Sequence, residues 1–305
     1  MAVSSPQTVV AKVQEDLHAP PGRVARERAF ASWLLVSTAI AVLVLVVLLV
    51  DILLDGSPRL FTDFPQLLTS YTSRFPEQTG VRAGLTGTLS LMTLVAITAF
   101  PIGVGAAIYL EEFAPNNRFT RLMEANIANL AGVPSVVYGL LGAAVFVYIL
   151  GFGRALISGA LTLTLLILPV IIVASRESLR AVPRGIRDGG LALGATPLQV
   201  AFRQTLPAAL PGIMTGTILA VSRAIGETAP ILVAGAIFAR RADNEPWHIF
   251  EAFTALPIQI YSYVTYPQEA FKVDVASAAI IVLLVALLIL NSAAIYLRSR
   301  FSRRL

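Results

Sequence analysis

The sequence predicts an all-α integral membrane protein with six transmembrane helices and both termini on the same side of the bilayer. Three observations carry this. Of the 305 residues, 56% are hydrophobic and only 13% charged, about half the charged fraction of a soluble globular domain. The mean hydropathy is +0.76. The charges are also placed so that they leave five uninterrupted runs, each of roughly the 20 residues needed to cross about 30 Å of hydrocarbon. The same composition excludes a disordered chain, which needs low hydrophobicity and high net charge. With no cysteine, disulfides, a thiolate nucleophile and cysteine-held metal centres are excluded as well. The two histidines, His18 and His248, are too distant in sequence to form a local metal site.

The charge-free runs are residues 29–50, 84–110, 125–153, 155–175 and 275–297. Each can satisfy its own backbone as a helix, which lipid requires. The first is longer than the apolar core of a signal peptide and no A-x-A site follows it, so it reads as an uncleaved span. A sixth span, residues 211–239, is interrupted by Arg223 and Glu227 alone. Pro101, Pro134, Pro169 and Pro230 fall within spans two to five, where each removes a helix hydrogen bond and kinks the helix; Pro134 and Pro230 are candidate hinges. Residues 1–29 are then a polar N-terminal tail, 30–83 the first span with the loop after it, 84–297 the core, and 298–305 a basic tail.

Orientation follows from the basic residues. With the N-terminus inside, the inner segments hold Lys12, Arg23, Arg26, Arg28, Arg118, Arg121, Arg176, Arg180, Arg184, Arg187, Arg203, Arg298, Arg300, Arg303 and Arg304. The outer segments hold Arg59, Arg74, Arg82, Arg154, Arg240, Arg241 and Lys272. That bias places both termini in the cytoplasm. The net charge of +5 is therefore a topogenic signal and no argument for nucleic acid, since the basic termini are short and lack interleaved aromatics.

Between spans four and five lies an inner loop, residues 176–210, too long for a simple helical connection. It reads as two short helices, the first ending at Gly194 as a C-terminal cap and the second capped by Thr196 with Pro197 in its first turn. The chain is expected to break again at Pro207 and Pro211. By composition the loop is either an amphipathic surface element on lipid headgroups or a docking element for a partner.

Within it, Asp188-Gly189-Gly190-x3-Gly194-x9-Gln204-x-Leu206-Pro207 resembles the EAA loop of ABC importer permeases, E-A-A-x3-G-x9-I-x-L-P. Asp188 stands for the Glu, two glycines for the alanines and Gln204 for the Ile. Further stretches resemble the phosphate-specific transport permeases: Ala107-Ile108-Tyr109-Leu110-Glu111-Glu112, Ala131-Gly132-Val133-Pro134-Ser135-Val136-Val137-Tyr138-Gly139-Leu140, Leu191-Ala192-Leu193-Gly194-Ala195-Thr196 and Ser222-Arg223-Ala224-Ile225-Gly226-Glu227-Thr228-Ala229-Pro230. Leu256-Pro257-Ile258-Gln259-Ile260-Tyr261 and the short basic C-terminus look like the PstA-type branch rather than the PstC-type. The resemblance covers roughly residues 84–297. It implies a type I ABC importer permease core in a bacterial inner membrane, with residues 188–197 as the coupling helix seated on an ATPase. It also implies the partners: a related PstC-like permease, two PstB-like ATPase subunits that hydrolyse ATP with Mg, and a PstS-like phosphate-binding protein. This chain has no G-x4-G-K-[ST] sequence, so no cofactor, metal or catalytic residue is expected of it.

Arg223 and Glu227 carry the chemistry. Counted from Pro211, Arg223 falls about 18 Å along the helix, near the bilayer midplane, where an Arg is costly and must face protein or water. Glu227, four residues on, lies within reach of it, and Gly212, Gly216 and Ala220 precede the pair as small residues that admit a neighbouring helix. One reading is a self-neutralised pair that fixes packing. The other is an anion pathway, in which the guanidinium matches phosphate oxygens and Glu227 keeps the ion from being trapped. Arg176 and Arg180 are either part of the positive-inside signal or a funnel for anions. Within the class, sulfate or molybdate import remains open. Outside it, the alternative is a stand-alone channel or secondary transporter with the pair as gate or proton relay.

Overall fold

The computed structural model describes residues 21–238 and 248–302, and every regular element among them is helical. The chain divides into two units, residues 1–54 and 55–305, and the division falls inside the first helix, α1 (Pro21–Thr62). Between Ala29 and Val50 α1 is apolar on every face, with Trp33, Leu35, Leu43 and Val47 all exposed, the pattern of a helix solvated by lipid. The helix starts eight residues before the end of the expected polar tail. Residues 1–20 and 303–305 of the expected tails, and Arg240, Arg241, Asp243 and Glu245 of the outer loop, lie outside the described residues.

In the second unit α2 (Phe64–Thr69) and a single turn at Pro76–Gln78 lead to α3 (Arg82–Ile108). A π-helical turn, Tyr109–Phe113, extends α3 and is closed by the Ala114 N–H to the Tyr109 carbonyl at 2.8 Å. The third predicted span is where expectation and structure part. It is two helices, α4 (Arg118–Leu130) and α5 (Ser135–Gly142, continued by a wide turn through Ile149), meeting at 105°. The break falls at Gly132-Val133-Pro134. Pro134 precedes α5 in an extended conformation and so is not an interior kink, because proline drives the residue before it out of the helical region. Asn117 caps α4, its Oδ1 accepting from the Thr120 N–H at 2.8 Å.

α6 (Leu156–Arg180) is the centre of the unit, packed on α3 and on α9 (Leu206–Ile225). Leu163, Ile167 and Ile171 of α6 are buried with Val95 and Ala99 of α3 and Ile213 of α9. Small residues set the approach. Gly212 lies against Ser178 and Gly216 against Ala174, and neither position has room for a Cβ. Thr98 and Thr164 share a hydrogen bond of 2.7 Å between α3 and α6, a satisfied polar contact of the kind that links helices in lipid. At the N-terminal end of α6 the backbone of residues 249–251 caps the helix, the Ile249 and Glu251 carbonyls accepting from Ile157 and Leu156 at 2.9 and 3.0 Å. The chain closes with α10 (Ala229–Val233), α11 (Leu256–Thr265) and α12 (Ala276–Ser302).

One buried amide ties α11 to the first turn of α3. Gln259 of α11 accepts from the Gly84 N–H at 3.0 Å, one of the donors that the first turn of α3 leaves without a helical partner. It donates to Thr72 Oγ1 at 2.8 Å, the Gly80 carbonyl at 3.2 Å and the Tyr263 hydroxyl at 2.7 Å. Burial pushes the Tyr263 phenol up to about 12, so it stays protonated and donates to Gly80 at 2.9 Å. Replacing Gln259 with Leu strands the buried Gly84 N–H, at a cost of about 1–3 kcal/mol, while the Gly80 carbonyl keeps the Tyr263 hydroxyl as its donor. Thermal unfolding of the purified chain in detergent is expected to show a midpoint several degrees lower for Gln259→Leu and a smaller drop for Tyr263→Phe.

Candidate functional site

Two sets of side chains stand out, one at each end of the α6–α9 pair. At the first, α9 stops at Ile225, residues 226–228 leave the helix, and α10 starts at Ala229. The expected single span over 211–239 is thus shorter at its far end and longer at its near end. Helical backbone runs unbroken from Pro197 to Ile225, through a π-helical turn, Ala201–Thr205, whose closing bond runs from the Leu206 N–H to the Ala201 carbonyl. That wide turn accommodates Pro207, and Pro211 lies inside α9, so neither proline breaks the chain as expected. Arg223 therefore sits in the last turn of a long helix rather than halfway along it, where its charge complements the helix dipole.

The Arg223–Glu227 pair is present, with Arg223 Nε 3.3 Å from Glu227 Oε1. It is a single-point contact. The carboxylate side chain is 17% exposed and the guanidinium side chain 51%. Among the described residues Glu227 is the sole partner of that guanidinium, so its two terminal nitrogens remain open to a ligand. The exposure has a geometric cause. Gly212, Gly216, Ala220 and Ala224 form the stripe of α9, the last two buried. Arg223 is about 100° round the helix from Ala224 and points past the packed face. Pro230 lies in the first turn of α10, not within a span. Gly139 of α5 rests on it so closely that a Cβ would stand 2.8 Å from the Pro230 Cα. The broken third span and the broken fifth span thus pack against each other at their breaks.

At the opposite end lies the loop between α6 and α9. α7 (Arg184–Ala192) contains Asp188, Gly189 and Gly190. Gly194 follows at φ +84°, a left-handed conformation that glycine takes without strain. α8 (Pro197–Val200) begins with Thr196 as cap: the Gln199 N–H donates to Thr196 Oγ1 at 3.3 Å, and the Thr196 N–H to Gln199 Oε1 at 2.9 Å. Gly190 is buried against the Gln204 amide, leaving no room for a Cβ. Two of the departures from the EAA pattern, Gly190 and Gln204, are therefore one adjustment, a smaller residue facing a longer one. Leu206 and Pro207 open α9. Ile186, Leu191, Leu193, Leu198 and Phe202 are exposed, Leu193 by 89%.

Sequence reasoning missed how this end is wired. Glu111 of the π turn after α3 forms a two-point pair with Arg180, at 3.1 and 3.0 Å, and lies 3.4 Å from Arg176. Arg176 is buried and meets Glu124 of α4 at 2.6 Å. Glu112 holds Arg187 of α7 through contacts of 2.7, 3.1 and 3.3 Å. Glu177 adds a fourth carboxylate, 3.5 Å from Arg180. Arg176 and Arg180 are consequently neutralised, and the funnel reading of these two residues falls. The available signal was the adjacent Glu111-Glu112 at the end of one span and Arg176/Arg180, one turn apart, at the end of another.

Comparison with known proteins places the whole arrangement. Residues 99–305, more than half of the chain, match the family model described as binding-protein-dependent transport system inner membrane component. The phosphate transport system permease protein PstA 1 of Mycobacterium tuberculosis is 36% identical over 231 residues, 75% of this chain and 74% of its own length. A probable ABC transporter permease, YqgI of Bacillus subtilis, is 29% identical over 88% of this chain and 93% of its length. The probable PstA of Methanocaldococcus jannaschii is 30% identical over 83% and 86%. Among solved structures, a bacterial alginate ABC transporter matches with a TM-score of 0.67 at 13% identity, over 92% of this chain and 97% of the matched chain. The methionine ABC transporter MetNI, in inward-facing conformations, matches at 0.56 with 19% identity, over 72% and 94%; these two likenesses concern the fold. The spans, the loop between α6 and α9 and the sequence matches lead to one conclusion: the chain is a multi-pass membrane protein and belongs to the family of binding-protein-dependent transport system inner membrane components.

Proposed function

We propose that the chain is the permease subunit of an ATP-driven phosphate importer in a bacterial cytoplasmic membrane. The observation that carries this reading is Arg223, half exposed at the broken end of a span. Non-helical backbone at membrane depth is tolerated only where it is buried in protein or lines water, and an arginine there must likewise avoid lipid. The face of α9 that bears Arg223 therefore belongs to a water-filled path, completed by a second, related permease subunit. Guanidinium stays charged at any working pH and matches phosphate oxygens in pairs. Glu227, already 3.3 Å away, competes with the anion and lets it leave, which transport demands. The names of the PstA relatives support phosphate as the anion.

The chain has no P-loop of its own, so ATP and Mg belong to a separate subunit in this reading. The exposed apolar residues of the segment between α6 and α9 give that subunit a surface, with Asp188, Gly189, Gly190, Gly194, Ala195, Thr196 and Pro197 forming the contact on the cytoplasmic side. A binding protein would deliver phosphate at the opposite face.

Two outcomes test the reading. In vesicles carrying the reconstituted complex, labelled phosphate uptake is expected to be abolished by Arg223→Gln and reduced by Glu227→Gln while the subunits still co-purify. Normal uptake by Arg223→Gln contradicts the anion path, and inhibition of wild-type uptake by excess sulfate transfers the reading to another oxyanion. Leu193→Asp, a change at an exposed site, is expected to abolish recovery of the ATPase with this chain. Recovery at the wild-type level contradicts docking on the loop and favours a stand-alone transporter.

A further inference from the structure

The ion-pair cluster at the loop end does more than neutralise charge, because its members lie on different elements. The three contacts of Glu112 with Arg187 join the π turn after α3 to α7. The same guanidinium donates through Nη1 to the Val182 carbonyl at 2.9 Å and through Nη2 to the Leu179 carbonyl at 2.9 Å. Leu179 lies in the last turn of α6, its carbonyl also accepting from the Val182 N–H at 3.2 Å, and Val182 lies two residues beyond that helix. One side chain on α7 thus holds the ends of two spans, and four of its five N–H groups are used. The joint is sheltered, the Arg187 side chain being 21% exposed and that of Glu112 11%. Two-point guanidinium–carboxylate geometry fixes direction as well as distance. α7 also packs through Gly190 on Gln204, while a Cβ on Gly185 or Gly189 would meet nothing within 4 Å.

From this geometry we propose that Arg187 and Glu112 are the positioning residues through which movement of α7 reaches the spans, with the π turn Tyr109–Phe113 as the place where α3 yields. Displacing α7 along the membrane carries the Arg187 head with it. The head draws the end of α3 through Glu112 and the end of α6 through the two carbonyls, and Glu111, bound to Arg180, keeps α3 and α6 in step. A π turn has slack that a regular helix lacks and often marks a functional position. The proposal rests on the reading of residues 188–197 as the ATPase contact, since something must move α7.

The test is the number of phosphate ions taken up per ATP hydrolysed by the full reconstituted complex in vesicles. Glu112→Gln, isosteric and uncharged, and Arg187→Met, which keeps the apolar stem, are each expected to lower that ratio roughly fivefold while ATP hydrolysis continues. The double variant should be no worse than either single one, as for two halves of one contact. A purely structural role would reduce the amount of complex, and so uptake and hydrolysis together. If Arg187→Met does not assemble, Glu112→Gln decides alone. An unchanged ratio in Glu112→Gln, with the ATPase bound and released by Leu193→Asp, overturns the joint and leaves the docking reading standing. If Leu193→Asp keeps the ATPase bound, docking fails and the joint falls with it.

Discussion

Hydrocarbon offers no hydrogen bonds, and the organisation of this chain follows from that constraint. Peptide groups must be paired within a helix or sheltered by neighbours, and charges must meet each other or water. Where α3, α6 and α9 run unbroken, the chain packs through Gly212, Gly216 and Ala99 with few polar side chains between helices. Where it breaks, at residues 131–134 and 226–228, the broken ends are brought together, Gly139 lying on Pro230. Arg176 and Arg180 of α6 are paired with carboxylates, whereas Arg223 of α9 keeps an open side. That exception is the basis of the functional reading.

The two ends of the α6–α9 pair solve opposite problems with the same chemistry. At the loop end Glu111, Glu112 and Glu124 engage Arg176, Arg180 and Arg187 at two or more points or under burial, and an anion would find little free charge. At the other end Arg223 meets Glu227 at one point and keeps two nitrogens open. A rigid joint and a releasable site need these different geometries, since a two-point pair is both stronger and more directional than a single contact. In the proposed function, the loosely held cation lies at the path and the tightly held ones at the coupling end.

Most of the spans were legible because hydropathy depends on composition and length alone. Residues 84–110, 155–175 and 275–297 became α3, α6 and α12 with small extensions at their ends. The run over 125–153 did not become one span. A charge count is blind to Pro134, and a break in a helix depends on whether other elements shelter it. The same blindness joined α9 to α10 across Gly226 and Thr228 and put Arg223 midway along a helix instead of in its last turn. Thr196 and Gly194 were legible as caps because capping is local chemistry. The Glu112–Arg187 contact spans 75 residues of sequence, and nothing local in either residue announces the other. Asp188, Gly189 and Gly190 were singled out by resemblance, yet their neighbour Arg187 makes the contacts.

The central claim is that the break after Arg223 faces an aqueous path used by phosphate. Since the chain has no cysteine and Gly226 has room for a side chain, Gly226→Cys places a single thiol at the break. The most direct measurement is its rate of modification by a water-soluble, membrane-impermeant thiol reagent in the reconstituted complex. The account predicts reaction from the aqueous phase, slowed when phosphate is supplied with the binding protein and unchanged by sulfate. A thiol that stays unreactive from both sides of the membrane, while cysteines at exposed loop positions react, would contradict it.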